Sequence, residues 1–152
     1  MPTGPSTFGG ADWVRGIHYT GLQPFLAFQY TWDRVYAIGF ASIDVPTSQR
    51  DALMLYQDVG LGYFVYRNKD PNSRGLIKSV APTFEVHVNT PTNHQDAFNP
   101  RDLAGTAEVV DLTSGVNVFM GKRTLLSFGI VDPVTAPRPF SLEALAFLNV
   151  FY

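Results

Sequence analysis

The chain has 152 residues, enough for one domain with a sizeable core, and a net charge of −2 from 11 Lys+Arg against 13 Asp+Glu, which gives no reason to expect a nucleic-acid partner. Only 16% of residues are charged while 14% are aromatic, where a soluble domain usually carries about 25% charged. Cysteine is absent, which fits an oxidising compartment and excludes a disulfide framework, thiol chemistry and a thiolate metal site.

The opening stretch, "MPTGPSTFGGADW", is rich in Pro and Gly and has no basic-then-apolar signal peptide, so residues 1–16 are expected to be an irregular N-terminal segment. From residue 17 to 152 the chain reads as strands separated by breakers. "IHYTGLQPFLAFQYTW" (17–32) meets a "DR" turn and continues as "VYAIGFASIDVP" (35–46). "LMLYQDVGLGYFVYR" (53–67) ends in the polar turn "NKDPNSRG", and "LIKSVAPTFEVHVNT" (76–90) leads into the long "PTNHQDAFNPRDLAGT". "AEVVDLTSGVNVFM" (107–120) is joined by "GKR" to "TLLSFGIVDPV" (124–134), and "TAPRP" precedes the terminal run. That makes roughly seven strands of hairpin-like spacing. Two places could instead be short helices: Ser48–Tyr56, and Ser141–Leu148 with its good helix formers.

No run reaches the ~18 consecutive apolar residues of a transmembrane helix, but a spanning β-strand needs only about 9–11 with one lipid-facing side. The later strands alternate with period two. Val80, Pro82, Phe84, Val86 and Val88 share a face opposite Thr83, Glu85, His87 and Asn89. Val110, Leu112, Val116 and Val118 oppose Asp111, Thr113, Gly115 and Asn117; in the terminal run Leu142, Ala144, Ala146, Leu148, Val150 and Tyr152 oppose Ser141, Glu143 and Asn149. The first two strands are apolar on both faces, and their sides are not assigned. A soluble barrel or sandwich would turn the apolar faces inward, and a membrane barrel would turn them to lipid around a polar lumen. Connections 33–34, 68–75 and 121–123 are short or moderate and net basic, alternating with 46–52, the long 90–106 and 132–139. A short-turn rim opposite a longer-loop rim is the pattern of an outer-membrane barrel.

The end of the chain adds to this. An apolar residue at every second position back from Tyr152, with Leu148 and Val150 on the same side, resembles the C-terminal signal that barrel assembly machinery recognises in outer-membrane barrels. More specifically, "VGLGYFVYRN", "VAPTFEVHVNTP" and "LTSGVNVFMGKRTLLSFGIVDPVTAPRPFSLEALAFLNVFY" resemble the C-terminal part of a group of outer-membrane transporters, the family filed under the meta-pathway of phenol degradation. The likeness covers roughly Val35 to Tyr152 and is sharpest at the glycine turn, the "PVTAPRPF" loop and the aromatic end. It implies a bacterial outer-membrane pore for small, often aromatic, molecules, with no catalytic residues. A barrel whose C-terminus lies on the short-turn side needs an even strand number, so either residues 5–14 hold an eighth strand or the chain is the C-terminal part of a larger barrel.

The expectation is therefore an all-β, antiparallel up-and-down transmembrane β-barrel, or the C-terminal part of one, with about seven to eight strands here. Its lumen-lining and selectivity residues would be Glu85, His87, Asn89, Asp111, Thr113, Asn117, Glu143 and Asn149, tuning permeation by charge and diameter. The partners expected are outer-membrane lipid, the assembly machinery and a small solute. The rivals are a soluble β-barrel binding an apolar ligand inside, an enzyme barrel, and a structural barrel with a plugged lumen. No metal, cofactor or catalytic set is expected. His18, His87 and His94 share no ligand spacing, and no Gly-x-Ser-x-Gly is present. Asp96, Asn99 and Asp102 in the long segment lack an EF-hand pattern, and 90–106 is read as a solvated external loop. Tyr19, Tyr30, Trp32, Tyr36, Tyr63, Tyr66 and Tyr152 suit aromatic girdles or, equally, ordinary strand aromatics.

Overall fold

Most of the strands end at the breakers read from the sequence. The structure, a computed structural model, describes residues 21–47, 51–70, 75–96, 98, 101, 105–136, 138 and 141–152. Among them there is no helix, and all strands belong to one antiparallel up-and-down sheet. The strands are β1 (Gly21–Leu22), β2 (Phe25–Trp32), β3 (Val35–Pro46), β4 (Met54–Tyr63), β5 (Tyr66–Arg67), β6 (Ile77–Pro91), β7 (Val109–Met120), β8 (Thr124–Pro133) and β9 (Glu143–Val150). The described parts of both helical alternatives are not helical: Met54–Tyr56 opens β4, with residues 48–50 outside the described residues, and Glu143–Leu148 lies in β9, where period-two pairing with β8 outweighs local helix propensity.

Two of the nine strands are continuations, so the sheet has seven staves. β1 and β2 pair with β3 in one unbroken register, interrupted where Pro24 has no N–H to donate; its carbonyl still accepts from the Ile43 N–H at 3.2 Å. β4 and β5 are separated by a bulge: Gly62 pairs with Thr83, but Tyr66 pairs with Val80, so β4–β5 carries one more residue than β6 over that stretch. The two-residue turn 33–34 holds Asp33 at φ 48°, and the turn 121–123 holds Gly121 at φ 57°, the left-handed conformations that tight hairpins demand.

The register settles both faces of every stave, including the first two. One face carries Leu26, Phe28, Tyr30 and Trp32 of β2, Val35, Ala37 and Ile43 of β3, Val59 and Leu61 of β4, Phe84 and Val86 of β6, Val116 and Val118 of β7, Phe128 and Ile130 of β8, and Ala146 and Leu148 of β9. Apart from Asp132 near the end of β8, no ionisable carboxylate or cation shares it between the rims. The opposite, more polar face carries the other carboxylates, His87 and most of the amides of the staves with several glycines, among apolar side chains such as Ile38, Phe40, Phe119 and Phe147. Burial is inverted relative to a protein with an apolar core: Val59 is 58% and Ile130 52% exposed, whereas Tyr36, Ser42, Ser79 and Ala81 on the polar face are buried. The polar face is the sheltered side of the curved sheet.

The sheet does not close. β2 and β9 are its edges, so the expected barrel is present as an open wall rather than a ring. Residues 1–20, including the segment 5–14 considered for an eighth strand, lie outside the described residues.

Candidate functional site

All eight residues expected to line a lumen fall on the polar face. Pairing places Gly60, Glu85, Thr113, Val131 and Glu143 along one line across five staves, and Asp58, His87, Asp111 and Pro133 along the next. Asn117 sits in line with Ala81 and Ser127, Asn89 with Tyr56 nearer the long-loop rim, and Asn149 with Leu125 near the short-turn rim. Geometry joins some of these and leaves others apart. Glu85, His87, Thr113 and Asp111 form a contiguous group, whereas Asn89, Asn149 and Glu143 stand away from it.

His87 is the centre of that group. Its Nδ1 lies 2.9 Å from Asp58 Oδ1 and its Nε2 3.0 Å from Thr113 Oγ1, with Glu85 Oε2 at 3.8 Å from the same nitrogen. With the proton on Nδ1, the ring donates to the Asp58 carboxylate and accepts from the Thr113 hydroxyl. Asp111 Oδ1, beside His87 in register, is buried and has no hydrogen-bond partner. Asp58 completes the group although no pattern around it marks it: its face neighbours are Tyr56 and Gly60, which hide the polar alternation.

The Asp58–His87–Thr113 relay has the distances of a hydrolase triad, but its surroundings oppose that chemistry. Thr113 sits mid-strand between β6 and β8, so its backbone belongs to the sheet ladders rather than to an oxyanion hole. Glu85 adds a carboxylate near His87 Nε2, where a tetrahedral intermediate would develop its own negative charge. The arrangement ties β4, β6 and β7 together across the polar face.

A second network crosses the face towards the short-turn rim. Asn117 Nδ2 donates to the Tyr36 hydroxyl at 2.9 Å, and the Ser127 hydroxyl donates to Asn117 Oδ1. Tyr36 reaches from β3 to β7 because Gly62 lies under its ring; a Cβ there would collide with the ring carbons. The ring packs on Phe64 at 5.3 Å between centroids, Phe64 packs on Phe119 at 6.1 Å, and the Arg67 guanidinium lies 4.9 Å from the Phe64 centroid. Tyr36 is therefore part of the polar wall and not of an aromatic girdle. Tyr30, Trp32, Tyr63 and Tyr66 are exposed at the short-turn rim on the apolar side, while Tyr19 lies outside the described residues.

At the end of β9, Leu148 and Val150 are exposed on the apolar face, and Tyr152 follows them, fully exposed. In the long segment, His94 takes φ 51° and its carbonyl accepts from the Thr106 N–H at 2.8 Å. No group of three or more His, Cys, Asp or Glu among the described residues has metal-binding geometry. No family model, curated protein or solved structure matches the chain.

Proposed function

We propose that this sheet is wall of a bacterial outer-membrane β-barrel, a passive pore or transporter whose apolar face meets lipid and whose polar face borders a passage for small solutes. The inversion of burial carries the reading. In water, an exposed surface of Phe, Val, Leu and Ile spread over seven staves is unfavourable by roughly 25 cal/mol per Å², whereas in hydrocarbon it is the proper solvent contact. The staves have lengths that suit the bilayer, β3 and β7 with 12 residues and β4 and β8 with 10, against the ~9–11 needed to span it. A soluble barrel holding an apolar ligand needs its apolar stripes inside, where this sheet carries its polar ones. The resemblance of Val35–Tyr152 to outer-membrane transporters of the phenol meta-pathway family supports the same assignment, and with it small, aromatic or hydrophobic solutes.

The passage would be lined by the His87 group and the Tyr36–Asn117–Ser127 network. Between the rims, the described part of the polar face carries Asp58, Glu85, Asp111 and Glu143 and no Lys or Arg. Such a wall favours cationic and neutral solutes over anions. No residue is assigned a catalytic role.

The test is refolding into detergent micelles, read by circular dichroism and by gel mobility with and without boiling. A heat-modifiable β form that requires detergent is the expected result, followed by conductance in a planar bilayer. A monodisperse, folded chain in plain buffer would overturn the membrane assignment.

A further inference from the structure

The short-turn rim carries a second pattern that the pore reading does not use. Among the described residues, six cations gather there, Arg34, Arg67, Lys69, Lys78, Lys122 and Arg123, against two carboxylates, Asp33 and Asp70. The described residues of the long-loop rim have the opposite sign, with Asp44, Asp51, Asp96, Glu108 and Asp132 against Arg101 and Arg138. The basic rim borders the aromatic part of the apolar face: Trp32, Val35 and Tyr63 share one line of the register, Tyr66 lies just beyond, and Arg34 occupies the adjoining turn. Moving down the staves, the outward surface therefore changes from aliphatic to Tyr and Trp and then to Lys and Arg.

We infer that this rim is a docking surface for anionic phospholipid headgroups, so that the protein sits with its short turns in a leaflet that carries them. The inference rests on the membrane reading above and adds the headgroup chemistry and the orientation. Charge complementarity selects the occupant. Arg34, Lys122 and Arg123 are exposed in turns, where their side chains can reach phosphodiester oxygens at the level of the aromatic rings. Two of the other cations are partly engaged within the rim: Arg67 donates to the Asp33 carbonyl at 2.8 Å, and Lys69 lies 3.9 Å from the Asp33 carboxylate. The turn 121–123 is held beside the end of β9 by the bond from the Phe151 N–H to the Arg123 carbonyl, 2.8 Å, so its two cations are presented next to Tyr152.

The experiment adds the detergent-refolded full chain to vesicles of phosphatidylcholine alone and of phosphatidylcholine with about one third phosphatidylglycerol, a composition that carries the anionic headgroup. Flotation at low and high salt measures the bound fraction. The triple variant R34Q/K122Q/R123Q is compared after its heat-modifiable gel shift shows that it folds as the parent does. Anionic vesicles should take up the parent about tenfold better than neutral ones at low salt, and the variant and high salt should each remove most of that difference. Equal uptake by both vesicle types overturns the headgroup assignment while leaving the membrane reading in place. A preference that survives in the variant overturns the choice of these three cations. Failure to associate with either vesicle type overturns the membrane reading and this inference together.

Discussion

Tyr36 and Gly62 show how single residues shape the sheltered face. The Tyr36 ring occupies the space above Gly62 and so reaches Asn117, two staves beyond its partner strand. Replacing Gly62 with Ala puts a methyl where the ring lies, displacing Tyr36 from Asn117 and from Phe64. A loss of about 1–3 kcal/mol is expected from such overpacking, measured as a lower melting temperature of the heat-modifiable form. Gly121→Ala gives a useful comparison: nothing lies within reach of its new Cβ, so any loss reports the strain of φ 57° alone. His87 gives a second residue-scale prediction. His87→Ala removes the partner of Asp58 Oδ1 and of the Thr113 hydroxyl together, leaving a half-buried carboxylate to rely on water. The expected loss is about 1–3 kcal/mol, and D58N in the same background should recover part of it. Parallel denaturant titrations of the single and double variants measure that coupling; strict additivity would remove His87 from the centre of the group.

At the scale of the element, one stave has two environments, and substitutions should divide accordingly. Val59 lies in line with Val86 and Leu112 on the apolar face, while Thr83 lies in line with Gly62 and Gly115 on the polar one. Val59→Arg should lower stability in lipid by about 2–4 kcal/mol, the cost of a cation near the bilayer midplane, and reduce insertion to a small fraction. Thr83→Arg should insert normally but move the reversal potential in a salt gradient towards anions, because it puts the first mid-wall cation among Asp58, Glu85 and Asp111. The same faces show what could be read before the structure was known. In β6 and β7 the alternation is clean enough that the polar-face positions of Glu85, His87, Asn89, Asp111, Thr113 and Asn117 were legible in their sequences, while in β9 Glu143 and Asn149 share that face with Leu145 and Phe147. β3 and β4 were not legible in this way, because Tyr36, Ile38 and Phe40 make an apolar stripe on the polar side, and Gly60 and Gly62 dilute the face of Asp58. Only pairing shows that those glycines make room for Ile38, Glu85 and Tyr36. The bulge that turns Phe64 onto Tyr36 was equally hidden, since "GYFVYR" has no breaker at that point.

For the whole molecule, the open edges set the hardest condition. Seven staves alternate in direction, so the first and the last run the same way. β9 therefore cannot meet β2 in antiparallel pairing. Nor does a second copy in the same orientation help, because β9 of one copy would face β2 of the next in parallel. Antiparallel closure needs an odd number of further strands between these edges. Without them, each edge presents a row of unpaired N–H and C=O groups, which is a template for aggregation in water and strongly unfavourable in hydrocarbon. Amide hydrogen exchange reads this directly, because protection follows hydrogen bonding stave by stave. In the micelle-refolded chain, β6 and β7, each flanked on both sides, should exchange most slowly. In β2 and β9, every second amide, the one pointing away from β3 or β8, should exchange far faster than its neighbours. Uniform protection along both edge strands in a monomeric species would mean that some further strand already closes the sheet, and the seven staves would then be part of a sealed wall rather than an open one.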